Sequence, residues 1–262
     1  MSDQTDREAI LREIAKKKVV YTLPGMEALP VRRDISYRGG LLMDIYYPAL
    51  EPGAVAPVVV FPLGYPDPLG GVRAFGPLTS WAQLIAASGM AAVLYGQESP
   101  AVDVDAVLAY LRANAAELAL DTSRLGIVSS SGNVPVALSV LMNDRGIRCA
   151  ALLEGYTMDA DGSTAVADPA RQYGFVDACA GKSVDDLPTG VPLLFIRAGR
   201  DQSPGLNHAL DAVVARALAR NSPLTLVNYA DGAHGFEVDD DREISREIVR
   251  QVLSFLAFHL NS

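Results

Sequence analysis

The chain is poor in the residues that cross-link, ligate metals or span membranes. Among 262 residues there are only 2 cysteines, 3 histidines and 1 tryptophan. Two cysteines, Cys149 and Cys179, cannot form the disulfide framework of a small secreted domain. Three histidines with no metal-ligand spacing argue against a resident metal, and no cofactor is expected. Basic residues are the minority, 22 against 31 acidic ones, for a net charge of −9. That balance disfavours nucleic acid and anionic membrane surfaces as partners. No apolar run approaches the length of a membrane span. The polar start, Met1 to Glu8, has no apolar stretch behind it, so no secretory signal is expected and the reducing cytoplasm is the expected location.

What the chain does have is apolar mass. Half of it is hydrophobic, enough for one large α/β core spanning residues 1–262. Residues 6–18 read as an amphipathic helix, with Ile10, Leu11 and Ile14 on one side. It could pack on the body or on a second subunit, so a homodimer is open. Residues 33–38 and 41–47 read as a hairpin across Gly39-Gly40. Strands are expected over 56–62, 90–95, before Ser129, over 150–154, 192–198 and 224–229. Helices are expected over 76–88, 102–118, after Asn133, over 204–220 and 240–260. Residues 155–190 have little periodicity and read as an excursion with one short helix near 166–173. Strands alternating with helices imply a mostly parallel sheet of about eight strands, helices on both faces, and no large cap domain. Loops at the strand ends then share one edge.

Three segments meet on that edge. Arg124 to Val140 reads as a strand, a tight turn of tiny residues and an apolar helix, the context of a nucleophile elbow. The elbow packs the residues two before and two after the nucleophile against each other, so both must be small. Ser131 has Ser129 and Asn133 there. Ser130 would have Val128 and Gly132, and a β-branched valine fits badly. Ser131 is therefore preferred over Ser130. Asn133 stands where G-x-S-x-G has glycine, and asparagine tolerates unusual backbone angles and caps helices. Asp201 follows a strand and Gly199-Arg200. His234 lies among small residues in Gly232-Ala-His-Gly235. The order Ser, Asp, His is the one this architecture uses. Glu154, at another strand end, is the rival acid. His208 and His259 fall within helices and read as structural, and Trp81 as core.

An oxyanion hole needs two converging donors. One is expected from the backbone of Gly132. The other is expected from the loop Leu63-Gly64-Tyr65, where an H-G-G sequence is absent, through either the amide or the phenol of Tyr65. Leu63, Gly64, Asp67, Glu154 and Tyr156 are candidate pocket residues.

With the elbow, Ala198-Gly-Arg-Asp201 and Gly232-Ala-His-Gly-Phe236, the chain resembles the α/β-hydrolase superfamily from about Tyr37 to Leu260, within it the dienelactone-hydrolase-like and small carboxylesterase branches. Leu42 to Pro48 also looks like the opening of cocaine-esterase-like and peptidase-like relatives, some of which use a tyrosine hydroxyl in the position of Tyr65. Dienelactone hydrolases use a cysteine nucleophile, and Ser131 here favours ordinary esters. The resemblance implies a serine carboxylesterase acting on small, short-chain esters. A peptidase, thioesterase or acyltransferase with the same residues, or a non-catalytic binding protein on the same fold, are the alternatives.

Overall fold

Short runs of aliphatic residues with no polar alternation, such as Ala56-Pro-Val-Val-Val60 and Ala91-Ala-Val-Leu-Tyr95, suit strands buried on both faces. Every residue of those two runs is buried. A computed structural model describes residues 13–67 and 70–261. The helix expected over 6–18 falls mainly outside them.

Eight strands form one sheet: β1 (Val31–Arg38), β2 (Leu41–Tyr46), β3 (Ala56–Val60), β4 (Ala91–Tyr95), β5 (Leu120–Ser130), β6 (Ile147–Leu153), β7 (Leu193–Ala198) and β8 (Leu224–Tyr229). Their spatial order is β1-β2-β4-β3-β5-β6-β7-β8. The hairpin β1–β2 joins β4 antiparallel, and all the other pairings are parallel. Seven helices are described: α1 (Gly76–Ala87), α2 (Pro100–Ala113), α3 (Val134–Asn143), α4 (Ala167–Tyr173), α5 (Leu206–Ala219), α6 (Phe236–Asp239) and α7 (Glu243–Asn261).

Period-2 alternation sorts the strand side chains between two cores. Val58, Val60, Ile127 and Phe195 pack beneath α2, α3 and α5. Val59, Val128, Leu153 and Ile196 pack beneath α1 and α7. Cys149 and Cys179 are both buried and unbridged. Among the described residues, no helix is long and apolar enough to cross a membrane.

Several boundaries differ from the sequence reading. The helix expected to reach 118 ends at Ala113, and Ala119 takes a positive φ of 50° to re-enter the sheet. The helix expected over 240–260 starts at Glu243, behind the separate turn α6. Asp240 ends that turn as an acceptor for the Arg242 backbone and for the Tyr229 hydroxyl, which stops one helix from running into the next. The strand expected over 150–154 starts at Ile147 and ends at Leu153.

The excursion packs on its own small core, in which Tyr156, Val166, Phe175 and Leu206 are buried. Tyr156 stacks on Phe175 at 5.0 Å, and Tyr65 meets Phe175 edge-on at 5.9 Å. The Val176 amide donates to the Gly64 carbonyl at 2.8 Å. The segment thus braces the loop after β3.

The loop after β4 is held from the other side. Asp103, buried at the start of α2, accepts from the Glu98 and Ser99 amides at 2.8 and 2.7 Å and from Arg38 at 2.6 Å. Its removal strands two backbone donors and frees the hairpin from the helix. Asp103→Ala is expected to cost about 1.5–3 kcal/mol, the worth of hydrogen bonds to a charged group. Urea unfolding checks this, and an unchanged midpoint would refute it.

Candidate active site

The elbow is visible in the backbone. Ser131 has φ 56°, whereas Ser130 before it is extended at φ −140° and Val134 after it is helical at φ −60°. A non-glycine residue at positive φ costs energy and persists only where its surroundings impose it. Here the surroundings are close. A Cβ on Gly64 would collide with the Gly132 carbonyl, and one on Gly155 with Val134. The Ser129 hydroxyl turns inward and donates to the Pro62 carbonyl at 3.2 Å.

Asn133 acts differently from expectation. Its backbone is ordinary right-handed helix, φ −86° and ψ −21°, and its side chain makes no capping bond. Instead Asn133 Oδ1 accepts from the Gly64 amide at 2.7 Å. That bond ties the elbow to the loop after β3 and takes up the one glycine amide of Leu63-Gly64-Tyr65.

The strand ends bring the three segments together. The Ser131 Oγ lies 3.0 Å from His234 Nε2, and His234 Nδ1 lies 2.7 Å from Asp201 Oδ2. An ionised carboxylate only accepts hydrogen bonds, so Nδ1 carries the proton and Nε2 is left to accept from the serine. The Asp201 side chain is fully buried, and its Oδ1 accepts from the Ser203 amide at 2.8 Å. Burial pushes the Asp201 carboxyl up. The hydrogen bond and charge of His234, with bonds from Ser203, outweigh that and hold it below its ordinary value. Burial pushes the His234 imidazole down, but the hydrogen bond and charge of Asp201 and the charge of Glu237 raise it above its ordinary value. His208 and His259 lie in α5 and α7, outside this arrangement.

Tyr65 reaches the same point. Its hydroxyl stands against Gly132, where a Cβ would collide with it. The loop that carries it is held by a residue the sequence reading missed. Gln97 is fully buried, and its Nε2 donates to the carbonyls of Leu63 and Tyr65 at 3.1 and 2.8 Å. The Gln97 carbonyl accepts from the Asp67 amide at 2.8 Å. A single glutamine after a strand, between Gly96 and Glu98, carries no pattern that marks it.

A cavity of about 750 Å³ opens over Ser131 and His234. Val72, Phe75, Leu78 and Trp81 are among its apolar lining residues, and Glu237 and Asp239 are among its acidic ones. Leu63, Tyr65, Asp67 and Glu154 also line it. Asp67 also serves its own turn, accepting from the Gly71 and Val72 amides. Trp81 is buried, yet it borders the cavity. Two residues expected in the pocket sit behind it. Tyr156 stacks on Phe175 and donates its hydroxyl to the Pro204 carbonyl, and Gly64 is backbone filler against the elbow. Glu154 is not bonded to His234. Its Oε1 accepts from the Gly235 amide at 3.0 Å, next to the histidine. Glu237, a residue without a sequence motif, packs beside it and is buried.

No protein-family model matches the sequence, and a search of the curated proteins finds no match either. Solved structures do match. A bacterial heroin esterase superposes with a TM-score of 0.73 at 14% identity, covering 98% of this chain and 91% of that one. A thermostable esterase from Pseudomonas putida ECU1011 gives 0.72 at 17% identity, over 98% and 90%. The thermophilic carboxylesterase EstE1, cloned from a metagenomic library, gives 0.69 at 15%, over 97% and 94%. At such identities the likeness is one of fold, and the fold is that of the α/β-hydrolases.

A neutral imidazole is needed to take a proton from Ser131. Because His234 is raised, the rate at which a fluorophosphonate labels the protein is expected to rise with pH through a midpoint above that of an ordinary histidine. In Asp201→Asn the anion that favours the imidazolium is gone, so the midpoint is expected to move to lower pH. The labelling rate should also fall by up to about 10⁴-fold, because the tautomer is no longer fixed. A wild-type midpoint at or below the ordinary histidine value would refute this.

Proposed function

We propose that the protein is a serine carboxylesterase that hydrolyses small, short-chain carboxylic esters through an acyl-enzyme. One observation carries the reading: the continuous contact chain from Ser131 Oγ through the His234 ring to the buried Asp201 carboxylate, set at a left-handed serine under an open cavity. The esterase names of structures that share the fold support it.

In this reading His234 Nε2 takes the Ser131 proton as Oγ attacks the ester carbonyl. Asp201 keeps the imidazole in its tautomer and stabilises the imidazolium. The tetrahedral oxyanion is met by the Gly132 amide and by Tyr65, whose hydroxyl stands at Gly132. Collapse of the intermediate returns the proton from His234 to the departing alcohol. Water then repeats the sequence on the acyl-enzyme. The cavity volume falls in the range that holds drug-sized ligands, with Phe75 and Trp81 among the apolar residues that line it. Dienelactone-type substrates are not favoured, because the nucleophile is a serine.

A p-nitrophenyl ester series from acetate upward tests the reading. Hydrolysis is expected, highest for the short acyl chains, with kcat lowered by roughly 10⁴-fold or more in Ser131→Ala. The fluorophosphonate adduct should map to Ser131. An adduct on Ser129 or Ser130, or hydrolysis that survives Ser131→Ala, would overturn it. Tyr65→Phe separates the two oxyanion donors. If the phenol donates, the loss is about 2.7–4 kcal/mol, mainly in kcat. If only the amide donates, the change is silent.

A further inference from the structure

Two carboxyl groups lie together, almost wholly buried, beside the His234 loop where it borders the cavity, and ester hydrolysis by Ser131 uses neither. Glu154 ends β6, and Glu237 belongs to α6, three residues beyond His234. They are 1% and 6% exposed. Among the described residues, no arginine or lysine forms an ion pair with either. The lysine that does reach α6 is Lys17, which is paired with Asp239. Glu154 Oε1 is satisfied by the Gly235 amide, but Glu154 Oε2 and Glu237 Oε2 are both buried with no donor. Two adjacent carboxylates cannot satisfy each other, because each only accepts. One proton between them resolves both vacancies at once, since a protonated carboxyl donates.

The backbone marks the same place. Glu154 has φ 29°, another non-glycine residue in the left-handed region. Its amide is fixed to the Ile196 carbonyl at 2.8 Å, and the Tyr156 amide, two residues on, donates to the Ser131 carbonyl at 3.2 Å. The segment that supplies the carboxyl therefore also supports the elbow.

We propose that Glu154 and Glu237 share a single proton and that this singly charged pair is the anchor of the His234 loop, holding the imidazole in register with Ser131. Glu154 grips the amide that follows His234, and Glu237 grips Glu154 from the helix that the same loop begins. Both are positioning residues, acting through the loop. Burial, the charge and hydrogen bond of Glu237, and the charge of Asp201 keep the Glu154 carboxyl protonated well above the usual carboxylate range, against the single opposing bond from Gly235. Asp201 and His234 lie near the pair, and the charge of Glu237 is one of the influences that raise the imidazole. The role in register rests on the hydrolase reading above, whereas the shared proton does not.

Infrared spectroscopy tests the proton. At neutral pH the wild-type protein should show the carbonyl stretch of a protonated carboxylic acid, lost in Glu154→Gln and in Glu237→Gln and retained in the surface control Glu117→Gln. No such band, or a band untouched by both substitutions, overturns the shared proton. Kinetics test the anchor. Glu154→Ala should lower kcat by roughly 10²-fold with KM little changed, the scale of a misplaced catalytic group. Glu154→Gln should recover most of that loss, since its amide can accept from Gly235 and donate to Glu237. If the alanine variant does not fold, Glu154→Asp serves in its place. It keeps a carboxyl group but withdraws it from the Gly235 amide, and should lose kcat where glutamine does not. Equal activity in the aspartate and glutamine variants, or loss confined to KM, overturns the anchor. Wild-type protein that resists fluorophosphonate would instead sink the hydrolase reading and leave the infrared result standing.

Discussion

The left-handed backbone at Ser131 is the constraint around which the site is built. A serine at φ 56° presses the elbow against its surroundings, so those surroundings must be small or shaped to it. Gly64 and Gly155 stand where any side chain would meet the elbow's own atoms. Ser129 faces inward and finds Pro62. Asn133 fills the place of a glycine and offsets its bulk by binding the Gly64 amide. Strain at one residue is thus held by contacts from the loops after β3 and β6.

Charge is distributed in two tiers beneath that hydroxyl. Asp201 is ionised against the imidazole. Beside it, Glu154 and Glu237 are almost wholly buried, where two adjacent charges are costly. The chain carries a large excess of acid, but the acidic groups at the site are individually committed: Asp67 to two backbone amides, Asp239 to Lys17, Asp201 to His234 and Ser203. Net charge alone therefore says little about the polarity of the cavity.

Much of this was legible in the sequence, and for a common reason. Ser131, Asp201 and His234 each sit at the end of a recognisable strand, among small residues whose presence makes sense only in a tight turn. Both kinds of signal are local. The hairpin, the parallel sheet and the two-sided helices followed from apolar runs and their spacing. Gln97 and Glu237 were not legible, because their work depends on partners 32 to 34 and 83 positions away, counted to Tyr65 and Leu63 and to Glu154. Asn133 was read as a tolerant turn residue, but its side chain answers to Gly64, 69 positions away. The end of α2 at Ala113 was missed because Asn114 to Leu118 keep helix-forming composition; pairing with β3 draws the chain back into the sheet there, and tertiary structure overrides propensity.

The last long helix has a bearing on how the protein acquires its shape. Leu260 of α7 lies against Gly126 in β5, so tightly that a Cβ there would stand 3.1 Å from it. The strand that leads to Ser131 is therefore roofed by residues made more than a hundred positions later. Tyr65, Ser131, Asp201 and His234 come from four separate crossings of the sheet. A topology so dominated by distant pairings folds slowly, because loop closure precedes any reward from contact. On the ribosome the elbow strand would emerge long before its roof, leaving an apolar face uncovered through the synthesis of the remaining chain. Ser131 is then made well before the residues that roof its strand, and the delay exposes the nascent chain to aggregation.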